Sequence, residues 1–567
     1  MIILGLWDGH DAGAALLIDG QLVVAVNEER LSRRKLEPCF PHRAIGECLS
    51  LASISPEKID HVAVATCDVA KTLARLIPAT RERHYQLRRR LQFPTRLDRI
   101  GHRIKYHITQ WPRVPGSDRL NLFLLRRSLA TVGINDIPLH LCLHHPCHAA
   151  TAAWFSGMDA ATVLTLDGVG DGLSGSAWRL DNGTLHPLAT IAGQDSLGLF
   201  FEHVTHLLNM RELEDEGKVM ALSDHAPPIA DPDNPLRSLF RVEGLTLRGR
   251  LHGERLIQYL RSILWSTSWE RFAAMAQRTL EIATEQWATR IIATTGQKNL
   301  ALSGGVFSNI RLNERLRRLG HPCFIFPQMG DGGLAAGAAA LVQRQVAPAL
   351  PIHPLSHLDL GRKFGTDELQ TALATAGVSG TPVADRAATA ADLIAQGKII
   401  GWFQGRMEYG PRALGHRSIL AAADHDGIKD RLNLILKRRA WYQPFCPSML
   451  EEEAQRLLAD FDGVVNPFMT MGYRFRPHFL KKFAQVAAID GSCRPQMVRP
   501  EDGFFFQLLR EVRKRTGHGV VLNTSFNLHG QPLVHTPGEA LTLMRHIPLD
   551  ALILENLLVQ RSDFPTS

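Results

Sequence analysis

Residues 162–190, TVLTLDGVGDGLSGSAWRLDNGTLHPLAT, contain three apolar segments separated by two short links. The first segment, Thr162–Leu166, leads into an acidic, glycine-rich loop over residues 167–172. The second, Ser174–Leu180, ends at Asp181-Asn182-Gly183, and an Asn-Gly pair between two such segments is a strong signal for a tight hairpin turn. The stretch therefore predicts a strand, an acidic loop, a strand, a tight turn and a strand.

The first 26 residues show the same order of elements, about 160 residues earlier in the chain. The predicted strand, acidic loop, strand, turn and strand are Ile2–Trp7, Asp8–Gly13, Ala14–Ile18, Asp19-Gly20 and Leu22–Val26. Recurrence of one pattern indicates an internal duplication. We therefore predict an α/β protein whose first domain has two similar lobes.

The two acidic loops have the composition of a phosphate site. Glycines let backbone N–H groups approach phosphate oxygens, and carboxylates can hold a divalent ion between phosphate and protein. One Asp-Gly loop alone is also an ordinary turn, but two in matching contexts indicate a nucleotide cleft between the lobes. A Gly-Gly pair after the predicted strand Asn299–Leu302 is suited to the same purpose. The predicted nucleotide contacts of this domain are Asp167, Gly168, Gly170, Asp171, Gly304, Gly305 and Asn309.

A pair of histidines, His144 and His148, lies in the segment HHPCH at residues 144–148. On a helix both imidazoles would share one face, and such a pair can fill two positions around a metal ion. Pro146 is compatible with a helix if it lies in the first turn. Asp331, which precedes an Ala-rich predicted helix, is the best-placed distant carboxylate to complete the site, although it can instead cap that helix. Because the chain has 25 histidines, the spacing can also arise by chance.

The length of the chain predicts more than one domain, because 567 residues exceed what a single core supports. The Pro-rich segment 346–358 is interpreted as a linker between domains 1–345 and 359–567. The eight cysteines form no CxxC pair, and the N-terminal residues do not resemble a signal peptide. Reduced thiols, no membrane span and a cytoplasmic location are therefore expected.

The positive charge is concentrated in one segment. Residues 81–113 contain ten arginines and lysines but only Glu82 and Asp98, so they account for the whole net charge of +8. We interpret this basic segment as a solvated, partly helical insertion, with contact to an acidic acceptor or partner as the second interpretation. Nucleic-acid binding is the least favoured, because no aromatic residues are interleaved in a stacking pattern.

The second domain contains another dense group of arginines. After a predicted strand at 398–403, Arg406, Arg412 and Arg417 lie within twelve residues that are interrupted by glycine and proline. Arginine offers forked donors that match phosphate oxygens, so the group predicts a polyanion site. A surface network of salt bridges is the alternative, although the interruptions disfavour an exposed helix.

Short motifs are distributed along nearly the whole chain. In the first domain they are HDAGAALL (10–17), EER (28–30), HHPCHAA (144–150), LTLDGVGDG (164–172), EGKVMAL (216–222), LSGGVFSN (302–309) and GDGGLAAGAA (330–339). In the second domain they are GRMEYGPRALGHRSI (405–419), the KxR of residues 437–439 with its QPF, and LNTSFN (522–527). Together they resemble the antibiotic and nodulation-factor O-carbamoyltransferases, which include the enzyme that acts on tobramycin.

This resemblance implies a fold and an activity. The first domain should have the two-lobed actin/sugar-kinase/Hsp70 fold, as in tRNA threonylcarbamoyl transferases, and the second a YrdC-like α/β fold. The second domain is then expected to form carbamoyladenylate from carbamoyl phosphate and ATP with Mg²⁺. The first would transfer the carbamoyl group to a hydroxyl of a small-molecule natural product or sugar. A homodimer is left open, whereas nucleic acid and membrane partners are not expected.

The resemblance also implies roles for individual residues. His144, His148 and Asp331 would hold a divalent metal, usually iron(II), and His145 would not be a ligand. The residues that should bind nucleotide and carbamoyl phosphate are Lys437, Arg439, Ser525 and Asn527, helped by Arg494, Arg406, Arg412 and Arg417. Two departures from the family pattern remove basic residues: Gln443 replaces an arginine, and Leu528-His529 displaces another basic residue.

Transfer to a hydroxyl requires a base that accepts its proton. The candidates are His10, Asp11 and Glu216, each in or near a glycine-bearing loop, and a helix cap or loop hydrogen bond is the alternative for each. Two other functions stay open. A tRNA threonylcarbamoyl transferase-like enzyme is favoured by the basic segment but disfavoured by the fusion of both domains in one chain. A non-enzymatic nucleotide-binding scaffold is disfavoured by the anion-binding residues of the second domain.

Overall fold

The computed structural model describes residues 1–98, 101, 104, 108–111 and 116–564. The chain forms two compact units, one made of Met1–Ser32 with Leu36–Ser356 and the other of Arg33–Lys35 with His357–Ser567. The change of unit at residue 356 lies inside the predicted linker 346–358. Within the described residues, no helix is long and apolar enough to cross a membrane.

The first unit contains both strands and helices, and two groups of three consecutive strands occur in it. Its strands are β1 (Ile2–Trp7), β2 (Gly13–Ile18), β3 (Gln21–Asn27), β4 (His61–Ala65), β5 (Leu139–Cys142), β6 (Ala160–Gly170), β7 (Leu173–Asp181), β8 (Thr184–Ala192), β9 (Phe240–Glu243), β10 (Thr246–Gly249), β11 (Leu300–Ser303) and β12 (Cys323–Ile325). Its helices are α1 (Glu29–Ser32), α2 (His42–Ala52), α3 (Val69–Leu76), α4 (Pro78–Arg88), α5 (Ser117–Ala130), α6 (His144–Trp154), α7 (Leu197–Leu207), α8 (Glu216–Leu222), α9 (Gly253–Trp265), α10 (Trp269–Thr295), α11 (Ile310–Arg317) and α12 (Leu334–Val346).

Two five-stranded sheets have the same topology. The first has the order β3-β2-β1-β4-β5 and the second the order β8-β7-β6-β11-β12. In each sheet the first three strands in sequence pair antiparallel, and the last two are added parallel to the first. The predicted duplication into two lobes is therefore confirmed. Both predicted hairpin turns are also present, and at Asn182 and Gly183 the φ angles of 47° and 72° are those that this turn requires.

Small residues bring the site-bearing helices close to their neighbours. A Cβ added at Gly337 of α12 would lie 2.2 Å from the carbonyl oxygen of Cys147 in α6, and one added at Gly5 of β1 would lie 1.9 Å from that of Ala335. Only glycine permits these approaches. Because α12 packs on α6 in this way, Asp331, just before α12, lies beside the histidines of α6.

The second unit is built on an eight-stranded sheet with the order β13-β22-β21-β14-β15-β20-β16-β19. Its strands, together with a separate β17-β18 pair, are β13 (Thr381–Pro382), β14 (Ile400–Phe403), β15 (Arg417–Ala422), β16 (Cys446–Leu450), β17 (Tyr473–Arg474), β18 (Ser492–Cys493), β19 (Gln496–Val498), β20 (Val520–Ser525), β21 (Ala551–Leu554) and β22 (Leu557–Gln560). Its helices are α13 (Thr366–Ala376), α14 (Arg386–Ala395), α15 (Ile428–Asp430), α16 (Glu451–Leu457), α17 (Pro477–Leu480), α18 (Gly503–Thr516) and α19 (Pro537–His546), with a π-helix at Arg431–Leu436.

One edge of this sheet collects the predicted anion-binding residues. Strand β20 runs antiparallel to β15 and β16, and β19 runs parallel to β16. The end of β20 therefore lies beside the starts of the other three strands. Ser525 ends β20, Cys446 begins β16, and Arg494 comes two residues before β19, so these residues meet at the same edge.

Candidate functional site

The histidine pair lies at the start of α6, as the spacing predicts. The helix begins at His144, so Pro146 is in its first turn and costs no hydrogen bond. His144 and His148 are both 1% exposed. One ligand atom from each of four side chains lies within 4.8 Å of the others: His144, His148, Asp167 and Asp331. Below, these four residues are called the histidine–aspartate cluster.

The two carboxylates face both imidazoles. Nε2 of His144 lies 3.0 Å from Oδ2 of Asp167 and 3.5 Å from Oδ1 of Asp331. Nε2 of His148 lies 3.6 Å from the same two oxygens. Asp331 does not cap α12, because Gly333 occupies the N-cap position of that helix. The four groups therefore converge on a common point.

Two hydroxyl groups fix the orientation of the imidazoles. Nδ1 of His144 lies 2.9 Å from the hydroxyl of Thr66, and Nδ1 of His148 lies 3.2 Å from that of Ser303. This leaves both Nε2 atoms directed at the cluster, which is the arrangement that metal-binding histidines have. Nε2 of His148 is buried and has no hydrogen-bond partner within the described residues. Two imidazoles and two carboxylates fit iron, zinc or manganese as a divalent ion.

The charges of the cluster are strongly coupled. Burial favours the neutral imidazole, but the carboxylates of Asp331 and Asp167 outweigh it and raise the pKa of His144 to about 9. Burial also opposes ionisation of Asp167, yet its interactions with His144 and His148 lower the pKa of this carboxyl well below its usual range. His145 is different, because burial and its two histidine neighbours lower its pKa to about 3. Its Nδ1 lies 2.8 Å from the hydroxyl of Thr165, away from the cluster.

In the structure, several residues of this unit that are predicted to contact a nucleotide make hydrogen bonds within the protein. Asp171 accepts hydrogen bonds from the backbone N–H groups of His144 (2.7 Å) and Cys67 (2.9 Å), so it fixes the start of α6. Asn309 caps α11 by accepting from the N–H of Leu312 at 3.1 Å. The N–H of Gly305 donates to Asp167 at 3.0 Å. Nucleotide binding at these positions stays a prediction.

The glycines of the same set differ in the space around them. A Cβ added at Gly170 would lie 2.2 Å from the ring of His144, and one at Gly304 would lie 2.1 Å from the carbonyl oxygen of Leu166. A Cβ at Gly168 would have nothing within 4 Å. Gly170 and Gly304 are therefore needed for packing around the histidine–aspartate cluster, whereas Gly168 lines open space.

The three candidate bases lie at different distances from the cluster. Nε2 of His10 lies 3.4 Å from Oδ2 of Asp331, and the His10 side chain is 42% exposed. The carboxylate of Asp11 accepts a hydrogen bond from the side chain of Gln328 at 3.1 Å. Glu216 accepts from the N–H of Leu213 at 2.7 Å, and burial raises the pKa of its carboxyl to about 8. Of the three, His10 is in contact with the cluster.

The basic segment is held by the protein where the structure describes it. Arg88 pairs with Glu202, Arg89 with Glu214, and Arg90 donates to Asn209. Glu202 lies on α7, and the other two partners lie in the loop that follows α7, so these positions are held by two ion pairs and a hydrogen bond. The interpretation as a solvated, partly helical insertion stays a prediction. Arg99, Arg103, Lys105 and Arg113 lie outside the described residues.

In the second unit, three of the predicted phosphate ligands contact one another. The Lys437 ammonium donates to the carbonyl oxygen of Ser525 and to the side-chain oxygen of Asn527, the latter at 3.0 Å. The Ser525 hydroxyl donates to the same oxygen at 2.7 Å. Burial and the nearby charge of Arg439 lower the pKa of Lys437 well below its usual range. The ammonium is thus held at the end of β20 without a carboxylate partner among the described residues.

Three arginines surround Cys446. Nε and Nη2 of Arg494 lie 3.2 and 3.0 Å from its sulfur, and Arg412 and Arg439 are also close enough to interact electrostatically with this side chain. Nε of Arg412 is buried and has no hydrogen-bond partner in the part of the chain that is described. Arg439 lies over the ring of Phe445 and donates to the side chain of Asn433 at 2.6 Å.

The remaining two predicted arginines bind backbone carbonyl groups. The guanidinium of Arg417 is fully buried and donates to the carbonyl oxygens of Gln404, Gly405 and His416. Arg406 donates to those of Leu360 and Gly361. Both residues therefore stabilise loops, whereas Arg412, Arg439, Arg494 and Lys437 have no carboxylate partner within the described part of the chain, and anion binding by these four stays a prediction.

Comparisons with known proteins identify the family of this chain. The family description "Carbamoyltransferase N-terminus" matches residues 2–340, and "Carbamoyltransferase C-terminus" matches residues 391–561. The chain belongs to the carbamoyltransferase family. It is therefore an enzyme, and its two parts match the N-terminal and the C-terminal family descriptions of carbamoyltransferases.

Relatives of this carbamoyltransferase include nodulation proteins. Nodulation protein NolNO of Sinorhizobium fredii is 33% identical over 97% of this chain and 79% of its own length. Nodulation protein NolO of Bradyrhizobium diazoefficiens is 35% identical over 74% of this chain and 78% of its own. Among solved structures, full-length HypF in its phosphate- and nucleotide-bound form is 14% identical over 62% of this chain and 56% of its own, with a TM-score of 0.33.

Sequence reasoning missed two features of this carbamoyltransferase. It assigned Asp167 to nucleotide binding, whereas the structure places its carboxylate in the histidine–aspartate cluster. It also overlooked the buried side chains of Ser448, Gln496 and Asn523, which bond to one another and hold the carbonyl groups of Ala413 and Leu414. The second set had a signal, because Asn523 lies inside the NTSFN motif.

Proposed function

We propose that this carbamoyltransferase works in two steps. Its C-terminal unit hydrolyses carbamoyl phosphate with one water to carbamate and phosphate. The carbamate then displaces pyrophosphate from ATP, with Mg²⁺, to form carbamoyladenylate, whose AMP is the leaving group of the second step. Its N-terminal unit then transfers the carbamoyl group to the hydroxyl of a small-molecule acceptor, such as a sugar or another natural product.

The observation that carries the first step is the set of cations at one edge of the second sheet. Lys437, Arg412, Arg439 and Arg494 have no carboxylate partner among the described residues. Buried charges are costly unless they are paired, so such a set requires an anionic ligand. Arginine forks and a lysine point charge suit a triphosphate and carbamoyl phosphate, whose charge they would balance as the reaction proceeds.

The second step is supported by the histidine–aspartate cluster. A divalent metal held by His144, His148, Asp167 and Asp331 would act as a Lewis acid toward a carbonyl or phosphoryl oxygen. His10 lies beside Asp331 and is partly exposed, so it is the group we propose to accept the proton of the acceptor hydroxyl. Thr66 and Ser303 orient the imidazoles.

The proposal is tested by following pyrophosphate release from ATP by the full chain. We expect release only when carbamoyl phosphate is present, and a carbamoyl mass increase when a suitable alcohol is added. Arg439→Ala should abolish release, because it removes one of the unpaired cations. Arg438→Ala is the matched control, since Arg438 is the exposed neighbour, and it should behave as the wild type. Pyrophosphate release that is indifferent to carbamoyl phosphate would contradict the proposal.

A further inference from the structure

The segment that carries Lys437 and Arg439 also exposes a large apolar surface. Trp441 is 61% exposed, Leu434 57% and Ile435 56%. A single exposed apolar side chain is ordinary, but three within eight residues, including a tryptophan, indicate a ligand or partner. This surface lies on the same short segment as two of the predicted phosphate ligands.

One buried amide fixes the tryptophan relative to the cations. The side chain of Asn433, which is fully buried, donates to the carbonyl oxygen of Trp441 at 3.1 Å. Its own oxygen accepts the hydrogen bond from Nε of Arg439 at 2.6 Å. The backbone of Trp441 and the guanidinium of Arg439 are therefore held by the same group, and neither can shift without the other.

The spacing and chemistry fit a nucleotide. Residues 439 and 441 are two positions apart, so their Cα atoms lie at most about 7 Å from each other. A ligand that places an anionic group at Arg439 can therefore reach the indole of Trp441. Phosphate-binding cations next to an exposed aromatic ring are the combination that binds a nucleotide through its phosphates and its base. A protein partner would be expected to meet the apolar surface without needing the unpaired cations beside it.

We propose that Trp441 stacks on the base of the nucleotide whose phosphates bind Lys437 and Arg439. This inference rests on the proposed function, because it takes ATP as the ligand of the second unit. Stacking uses the face of the ring, which every base has, so Trp441 would supply affinity with little selectivity between purines. The loop at 437–441 would then supply the contact to the base as well as two of the four cations for the phosphates.

The test is calorimetric titration of the full chain with ATP and, separately, with inorganic tripolyphosphate, which has phosphates but no base. Trp441→Ala should weaken ATP binding about tenfold, which corresponds to about 1.4 kcal/mol, and leave tripolyphosphate binding unchanged. Trp441→Phe should recover most of the ATP affinity. Trp265→Ala, which removes another exposed tryptophan (92%) from α9 of the first unit, should change neither affinity.

The other outcomes overturn the inference in distinguishable ways. Unchanged ATP affinity in Trp441→Ala contradicts stacking but leaves the proposed function standing. An equal loss for ATP and tripolyphosphate means that Trp441 acts only through the loop. Wild-type protein that binds neither ligand contradicts the proposed function as well. A changed molecular mass in light scattering, with ATP affinity unchanged, identifies the apolar surface as a protein interface.

Discussion

At the scale of single residues, the orientation of two imidazoles depends on two hydroxyl groups. Ser303 is fully buried, and its hydroxyl lies 3.2 Å from Nδ1 of His148. Partners of this kind fix the tautomer and the ring plane, and their loss typically costs about 10-fold to 100-fold in metal affinity. We expect Ser303→Ala to weaken divalent-metal binding by about this factor, measured by competition with a chromophoric chelator.

The control for this substitution is Ser174→Ala. Ser174 is also buried, but its hydroxyl donates to the carbonyl oxygen of Ala192, away from the histidines. Equal metal affinities in Ser303→Ala and the wild type would show that the hydroxyl does not orient His148.

Glu216 provides a test that depends on pH. Burial raises the pKa of its carboxyl to about 8, from an ordinary value of 4.5. Between these values the folded protein holds a proton that the unfolded chain has released, so stability falls as the pH rises through this window. Glu216→Gln should therefore flatten the decrease in the urea midpoint between about pH 5 and about pH 8.

Glu254→Gln is the matched control for Glu216. Both glutamates lie in the first turn of a helix, but Glu254 is exposed, so its substitution should leave the pH dependence as in the wild type. The interpretation fails if Glu216→Gln and the wild type lose stability in parallel over this range.

At the scale of elements, the start of α6 can pack against the end of β6 only because Gly170 has no side chain. A Cβ at Gly170 would lie 2.2 Å from the ring of His144, whereas a Cβ at Gly168 would meet nothing within 4 Å. Gly170→Ala should therefore displace His144, lower metal affinity at least tenfold and lower the urea midpoint. Calorimetric metal titration and urea unfolding measure the two effects.

Gly168→Ala makes the same chemical change two residues earlier on the same strand. It should keep the metal affinity and the unfolding midpoint of the wild type. Similar losses in both variants would mean that the strand tolerates no side chain, independently of His144.

The same elements show which parts of the structure were predictable. The three strands in residues 160–192 and their tight turn follow from local patterns, because alternation and the Asn-Gly pair act within a few residues. The position of His144 and His148 on one face of a helix also follows from local sequence, because it depends only on their spacing of four residues. Asp331 is the distant carboxylate that the sequence favours as a partner, because it precedes an Ala-rich predicted helix.

The role of Asp167 could not be read from its neighbours. Its contact with His144, at 3.0 Å, depends on the packing of α6 beside the end of β6. Its orientation also depends on the N–H of Gly305, which follows β11 and lies 138 positions away in the chain. Arg417 is a similar case, since only the folded loop provides the carbonyl groups that its guanidinium binds.

At the scale of the whole molecule, the chain separates two kinds of chemistry. The first unit offers imidazoles and carboxylates that suit a metal ion, and the second offers unpaired cations that suit phosphates. We therefore propose that activation of carbamoyl phosphate and transfer of the carbamoyl group use different residues. Transfer should then be removable without loss of activation, and loss of activation should leave the metal site of the first unit intact.

The most direct measurement follows both activities in two full-chain variants. His148→Ala should lose metal and carbamoylation of the acceptor but keep pyrophosphate release that depends on carbamoyl phosphate. Lys437→Ala should lose pyrophosphate release, and with it carbamoylation, but keep the bound metal. If His148→Ala abolishes pyrophosphate release, or carbamoylates its acceptor at the wild-type rate without metal, the division of labour between the two units is contradicted.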